Sequence, residues 1–146
     1  MKIQLACFLL LFTSVLSQPP AIRERYEKFI SQHINTGMSV NRCDQVIGQK
    51  GIRTVDGMCK ETNTFILANT GRVKPVCGWA GQPRGLLTES QNLFPLIVCE
   101  LRNQGSRPPR CQYRGRALTR RIVIACEQGY PVHYDQDIFV FRVNKS

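Results

Sequence analysis

Apolar residues in the first part of the chain recur with a helical period. Ile22, Tyr26, Phe29, Ile30 and His33 share one face, and Arg23, Glu24, Glu27 and Lys28 occupy the other. The spacing predicts an amphipathic helix over residues 21–33, with Gly37 as its stop and His33 at the inward end of the apolar stripe. A second helix is expected over Asn41–Ile47, carrying Cys43 and ended by Gly48, and a third around Lys74–Cys77. Beyond these the pattern turns to strand. Strands are expected over Phe94–Arg102, Cys111–Arg116, Leu118–Glu127, Val132–Asp135 and Ile138–Val143. Gly105, Pro108, Pro109, Gly115, Gly129 and Pro131 punctuate them. Helices followed by antiparallel strands define the α+β class.

The first residues read as an address. Lys2, an apolar run from Leu5 to Leu16, and Val15-Leu16-Ser17 before Gln18 form a signal-peptide pattern over residues 1–17. The run is too short to span a bilayer, and no other run reaches membrane length. Residues 18–146 fit one domain by size. The protein is expected to be secreted and monomeric.

Setting that segment aside removes Cys7 and leaves six cysteines: Cys43, Cys59, Cys77, Cys99, Cys111 and Cys126. An even set in an oxidising compartment reads as three disulfides, although spacing alone leaves 15 pairings open. A zinc site is the rival reading, but there is no CxxC pair and no Cys–His cluster. Without Lys2 the chain holds 19 basic and 10 acidic residues, a formal +9. That excess favours polyanionic partners: nucleic acid, heparin-like glycans or anionic bacterial surfaces. Arg107, Arg110, Arg114, Arg116, Arg120 and Arg121, with Tyr113 among them, form a cationic band if a hairpin gathers them on one side. Strand alternation would instead divide them between two faces.

The candidate chemistry lies in two histidines, His33 after Gln32 and His133 in Val132-His133-Tyr134-Asp135. Two imidazoles are the smallest set that can supply a base and an acid near neutral pH. Between them stands Cys59-Lys60-Glu61-Thr62-Asn63-Thr64-Phe65. A lysine beside a half-cystine has a pinned backbone, so its ammonium can be held for a developing anion. Thr64 offers a hydroxyl that both donates and accepts, suited to a pyrimidine edge. Asn63 reads by default as a turn residue.

These residues resemble the pancreatic ribonuclease (ribonuclease A) superfamily: Gln32-His33, then Cys-Lys-x-x-Asn-Thr-Phe, six spaced cysteines, and Val132-His133-Tyr134-Asp135, all in order. The resemblance covers essentially residues 18–146. It implies N-terminal helices packed on a long, bent antiparallel sheet, and the pairings Cys43–Cys99, Cys59–Cys111 and Cys77–Cys126. The family's fourth bridge has no counterpart, which is the pattern of its angiogenin-like branch.

The resemblance further implies a metal- and cofactor-independent endoribonuclease that cleaves RNA 3′ of pyrimidines through a 2′,3′-cyclic phosphate. His33 is then the base, His133 the acid and Lys60 the charge stabiliser. Gln32 holds a phosphate oxygen, Thr64 and Asn63 belong to the base site, and Asp135 accepts a hydrogen bond from His133. Lys28 serves a downstream phosphate and Glu127 a second base. Gln136 falls where the branch places a glutamine that bonds the threonine and blocks the pyrimidine pocket, with Ile138 and Phe139 as apolar anchors. The implied activity is weak.

Angiogenic or antibacterial roles, and a cell-surface receptor, come with the same branch. The segment Gln49-Lys50-Gly51-Ile52-Arg53 is thinner in arginine than that branch's nuclear address, so nuclear delivery does not carry over. The rival reading is a cationic host-defence or signalling protein whose action does not need the nuclease site.

Overall fold

The computed structural model describes residues 20–141. The expected signal segment and Cys7 lie outside that range. Three helices and six strands follow in the order α1 (Pro20–His33), α2 (Cys43–Lys50), β1 (Thr62–Ile66), α3 (Thr70–Val73), a 3-10 turn (Lys74–Cys77), β2 (Gly81–Arg84), β3 (Leu87–Ser90), β4 (Phe94–Leu101), β5 (Tyr113–Glu127) and β6 (Tyr130–Ile138).

Helix α1 forms where the apolar period placed it. Ile22, Phe29 and His33 are its buried residues. It stops at His33 and not at Gly37, because Ile34 leaves the helix to bridge Ile66 and the Asn35 amide donates to the Ile66 carbonyl at 3.0 Å. Helix α2 runs through Gly48, the expected stop, to Lys50. Gly51 ends it with φ of 62°, a left-handed conformation that glycine adopts without a side-chain clash.

The sheet is built around β5, whose 15 residues serve two sets of neighbours. Its first half pairs with β4 from Phe94↔Arg120 to Leu101↔Tyr113, and β4 continues to β1. Its second half pairs with β6, and Thr88 and Glu89 of β3 meet Ile124 and Val123. Every pairing is antiparallel. Gly115 does not split β5 as the pattern predicted. A Cβ there would sit 2.2 Å from the Val40 carbonyl oxygen, so glycine allows the loop before α2 to lie against an unbroken strand.

Two apolar clusters fill the interior. One joins Cys43, Val46 and Ile47 of α2 to Phe65, Ile97, Cys99 and Tyr113. The other joins Phe29 of α1 to Ile66, Val73, Val76, Phe94, Leu96, Ile122 and Ile124. Strand β1 feeds both, since successive residues point to opposite faces. Disulfides Cys43–Cys99, Cys59–Cys111 and Cys77–Cys126 close sequence separations of 56, 52 and 49, and these are the pairings the resemblance implied. Loops of that length each contribute about 4 kcal/mol in the chain-entropy model.

At the C-terminus the expected strand Ile138–Val143 is absent from the described part. β6 ends at Ile138, and Arg142 and Val143 lie outside the described residues. Phe139 is 63 % exposed and lies under the Arg120 guanidinium at 4.7 Å, so it is a surface contact and not a buried anchor. The expected arginine band is likewise divided. Arg116 pairs with Glu100 at 2.6 Å, Arg121 with Glu89 at 3.1 Å, and Arg120 approaches Asp137 at 3.9 Å. Arg107, Arg110 and Arg114 have no ion-pair partner among the described residues.

Candidate active site

His33, at the C-terminal end of α1, is 7 % exposed. Its Nδ1 lies 2.8 Å from the Thr64 carbonyl oxygen. A carbonyl can only accept, so Nδ1 carries the proton and Nε2 presents a lone pair. Burial, followed by the charges of Lys60 and His133, lowers the His33 pKa to about 4, and the bond to Thr64 only partly opposes that shift. The neutral ring is therefore the resting form at neutral pH.

His133 reaches the same place from the other end of the chain. It sits on β6 between two irregularities in the β5–β6 register, Val123/Ile124 and Ala125/Cys126, which re-aim the strand locally. Arg25, Lys28, Phe29, Gln32, His33, Val132 and His133 line one cleft of about 180 Å³. Both histidines thus border a single small cavity, although 100 residues separate them in sequence. His133 has an exposed side chain, 60 % accessible. Its Nε2 stands 3.9 Å from Asp135 Oδ1, an ion-pair distance longer than the expected hydrogen bond.

Lys60 is held by its neighbours on and beside β1. Its Nζ donates to Asn63 Oδ1 at 2.9 Å, and the Tyr113 hydroxyl donates to its carbonyl oxygen at 2.7 Å. Burial and the nearby charge of Lys28 lower its pKa. Asn63 is a strand residue, 1 % exposed, and not a turn residue. Its Nδ2 donates to the Gln32 carbonyl at 2.8 Å while its Oδ1 accepts from Lys60. Both ends of the amide are occupied, which ties the last turn of α1 to the lysine and gives Asn63 a supporting place behind the cleft.

Thr64 is buried, with its carbonyl on His33. Gln136 is exposed on β6 and makes no hydrogen bond to Thr64. The aromatic side chain against His33 is that of Tyr134. Its ring stacks on His33 with centroids 5.2 Å apart and planes 26° apart. The sequence motif named this tyrosine without giving it a task. Gln32 is half-buried and lines the cleft, and Lys28 is exposed at its rim. Glu127 is held by Arg25, whose Nη1 lies 2.5 Å from its Oε1, across the opening between α1 and the end of β5. Pattern reading gave no hint of that pair, because its members are 102 residues apart.

Comparison with known proteins identifies the family. The family model described as Pancreatic ribonuclease matches residues 24–135. The chain is 42 % identical to Ribonuclease-like 3 of Danio rerio over 143 residues, covering 92 % of this chain and 95 % of that protein. It is 36 % identical to Angiogenin of Mus musculus, covering 90 % and 93 %. The crystal structure of zebrafish RNase5 superposes with a TM-score of 0.79 at 46 % identity, covering 82 % of this chain and 99 % of that one. The chain belongs to the pancreatic ribonuclease family and is a pancreatic-type ribonuclease.

Proposed function

We propose that this ribonuclease cleaves RNA on the 3′ side of pyrimidines by transphosphorylation, without a metal. Neutral His33 takes the proton of the 2′-hydroxyl at Nε2 as the 2′-oxygen attacks phosphorus. Protonated His133 gives a proton to the departing 5′-oxygen as the P–O5′ bond breaks. The product is a 2′,3′-cyclic phosphate, which water then opens with the two roles exchanged. Lys60 stabilises the added negative charge on phosphorus, and Gln32 holds a phosphate oxygen. Thr64 reads the base, Asp135 orients His133, and Lys28 and Glu127 border the path of the flanking nucleotide. RNA is the substrate because its 2′-hydroxyl is the nucleophile.

The observation that carries the reading is one cleft bordered by a buried imidazole fixed at Nδ1 and a second, solvent-exposed imidazole. Its lowered pKa keeps His33 neutral, the form a general base needs at neutral pH. Analysis of the ends produced from a cytidylyl dinucleotide tests the chemistry. The cyclic phosphate accumulates first, whereas release of 5′-phosphate ends contradicts the reading. Residues 1–17 act as a signal peptide in this account, and the three disulfides suit an oxidising, extracellular setting.

A second activity rests on charge. Arg107, Arg110 and Arg114 are exposed without ion-pair partners among the described residues, in a chain of net +10. They give a surface for polyanions such as heparin-like glycans or anionic bacterial envelopes, independent of the histidines. The angiogenin relatives extend the same reading to a cell-surface receptor and angiogenic signalling. Neutralising all three arginines lowers heparin affinity and its salt dependence while dinucleotide cleavage persists; unchanged heparin retention contradicts it.

A further inference from the structure

Trp79 is the only tryptophan of the chain, and it is 80 % exposed. Its main chain is nevertheless fixed. The amides of Gly78 and Ala80, on either side of it, both donate to the Pro75 carbonyl at 2.9 Å. Ala80 is buried, and Cys77 is bridged to Cys126. The indole therefore stands out from a pinned loop and adds little to the core. It borders a hollow of about 430 Å³ whose other walls include Tyr26, Lys74, Pro75 and Gly129, and no carboxylate lines it. The Lys74 ammonium lies 4.5 Å from the ring centroid of Tyr130, and that ring packs on Tyr26 at 5.1 Å. An aromatic shelf thus holds the cation at the rim. The hollow adjoins the cleft of the two histidines. Tyr26 follows Arg25 on α1, Gly129 follows closely on Glu127, and Arg25 and Glu127 pair across the opening between them.

We propose that this hollow is a distal single-strand subsite, in which a base beyond the flanking nucleotide stacks on Trp79 and the adjoining phosphate meets Lys74. This rests on the nuclease reading above, which brings the RNA strand out past Arg25 and Glu127. A cation beside a free aromatic face suits a single strand: the charge tracks the backbone, and the ring takes a base of any sequence. A sulfated glycan would offer charge without a flat base to cover the indole. The pinned loop lowers the cost of ordering the contact, because Trp79 is presented before the strand arrives. Lys74, Trp79 and Tyr130 belong to none of the motifs that carry the family resemblance.

Trp79 reports on its own site, since no second indole contributes to the emission. The probes are a hexamer of 2′-deoxycytidylate, which lacks the attacking hydroxyl and is not cleaved, and the matching dinucleotide. The hexamer should quench Trp79 emission and the dinucleotide should not. With fluorescein-labelled probes read by anisotropy, Trp79→Ala should bind the hexamer about tenfold more weakly, as for loss of one stacked base, and the dinucleotide equally well. Lys74→Gln should lower the slope of hexamer affinity against salt by about 0.7. Both variants should keep wild-type cleavage of a dinucleotide. Equal hexamer affinity in wild type and Trp79→Ala overturns the proposal. So does quenching by the dinucleotide, or quenching by a heparin fragment while the hexamer leaves the emission unchanged. Failure of the wild type to cleave RNA would count against the nuclease reading instead, and the difference between hexamer and dinucleotide would still decide the subsite.

Discussion

The Nδ1–H of His33 donates to the main-chain carbonyl of Thr64 at 2.8 Å, joining the end of the first helix to the middle of the first strand. One bond therefore sets the tautomer of the imidazole, the direction of its free nitrogen and its distance from Thr64. Its partner accepts through the main chain, so the bond depends on strand position and not on the Thr64 side chain.

The burial of His33 predicts a pH dependence of stability. His33 has a folded-state pKa near 4 against an ordinary value of 6.5, so the unfolded chain binds its proton more readily. Stability from this group is complete above pH 6.5 and is lost as pH falls from 6.5 towards 4. The shift corresponds to about 3 kcal/mol. Urea unfolding at stepped pH should show the decline, and His33→Gln should flatten it over that window. A wild-type stability constant between pH 6.5 and 4 contradicts the burial argument. In the same account the acid limb of kcat/KM lies near pH 4.

Asn63 joins two parts of the site, accepting from Lys60 and donating to the Gln32 carbonyl. Replacing it with alanine leaves a buried carbonyl and an ammonium without their partner, so Asn63→Ala should cost about 2–3 kcal/mol. Catalysis should fall as well, because Lys60 loses its hold. Denaturant midpoints and dinucleotide turnover measure the two effects. A stable Asn63→Ala with full activity removes Asn63 from the account.

Gly115 makes a prediction away from the cleft. Its missing side chain accommodates the Val40 main chain, and a Cβ would meet Val40 oxygen at 2.2 Å. Gly115→Ala should destabilise the fold by about 2 kcal/mol through overpacking against backbone that must move. Thermal unfolding tests it, and an unchanged Tm shows that the loop before α2 yields freely.

The same glycine shows where sequence pattern stops being informative. A glycine between two apolar runs reads equally as a turn or as a close approach, and only the position of Val40 decides between them. Helix α1 was legible because its apolar face repeats over 14 residues. Strand β1 was not, since four of its five residues, Asn63 to Ile66, are buried and the in–out alternation disappears. The hairpin of β2 and β3 was missed because its eight residues are mostly polar or half-exposed. Cysteine spacing left every pairing open, and the family resemblance selected the set the structure contains. The same resemblance misplaced Phe139 as an apolar anchor, because β6 ends before it and leaves it exposed.

Cleavage of a cytidylyl dinucleotide in excess chelator, by wild type, His33→Ala and His133→Ala, is the most direct test of the two-imidazole site. The account predicts cleavage by the wild type that chelator does not alter, and a loss of about a thousandfold in each variant. Wild-type rates in either variant, or abolition of cleavage by chelator, would contradict it.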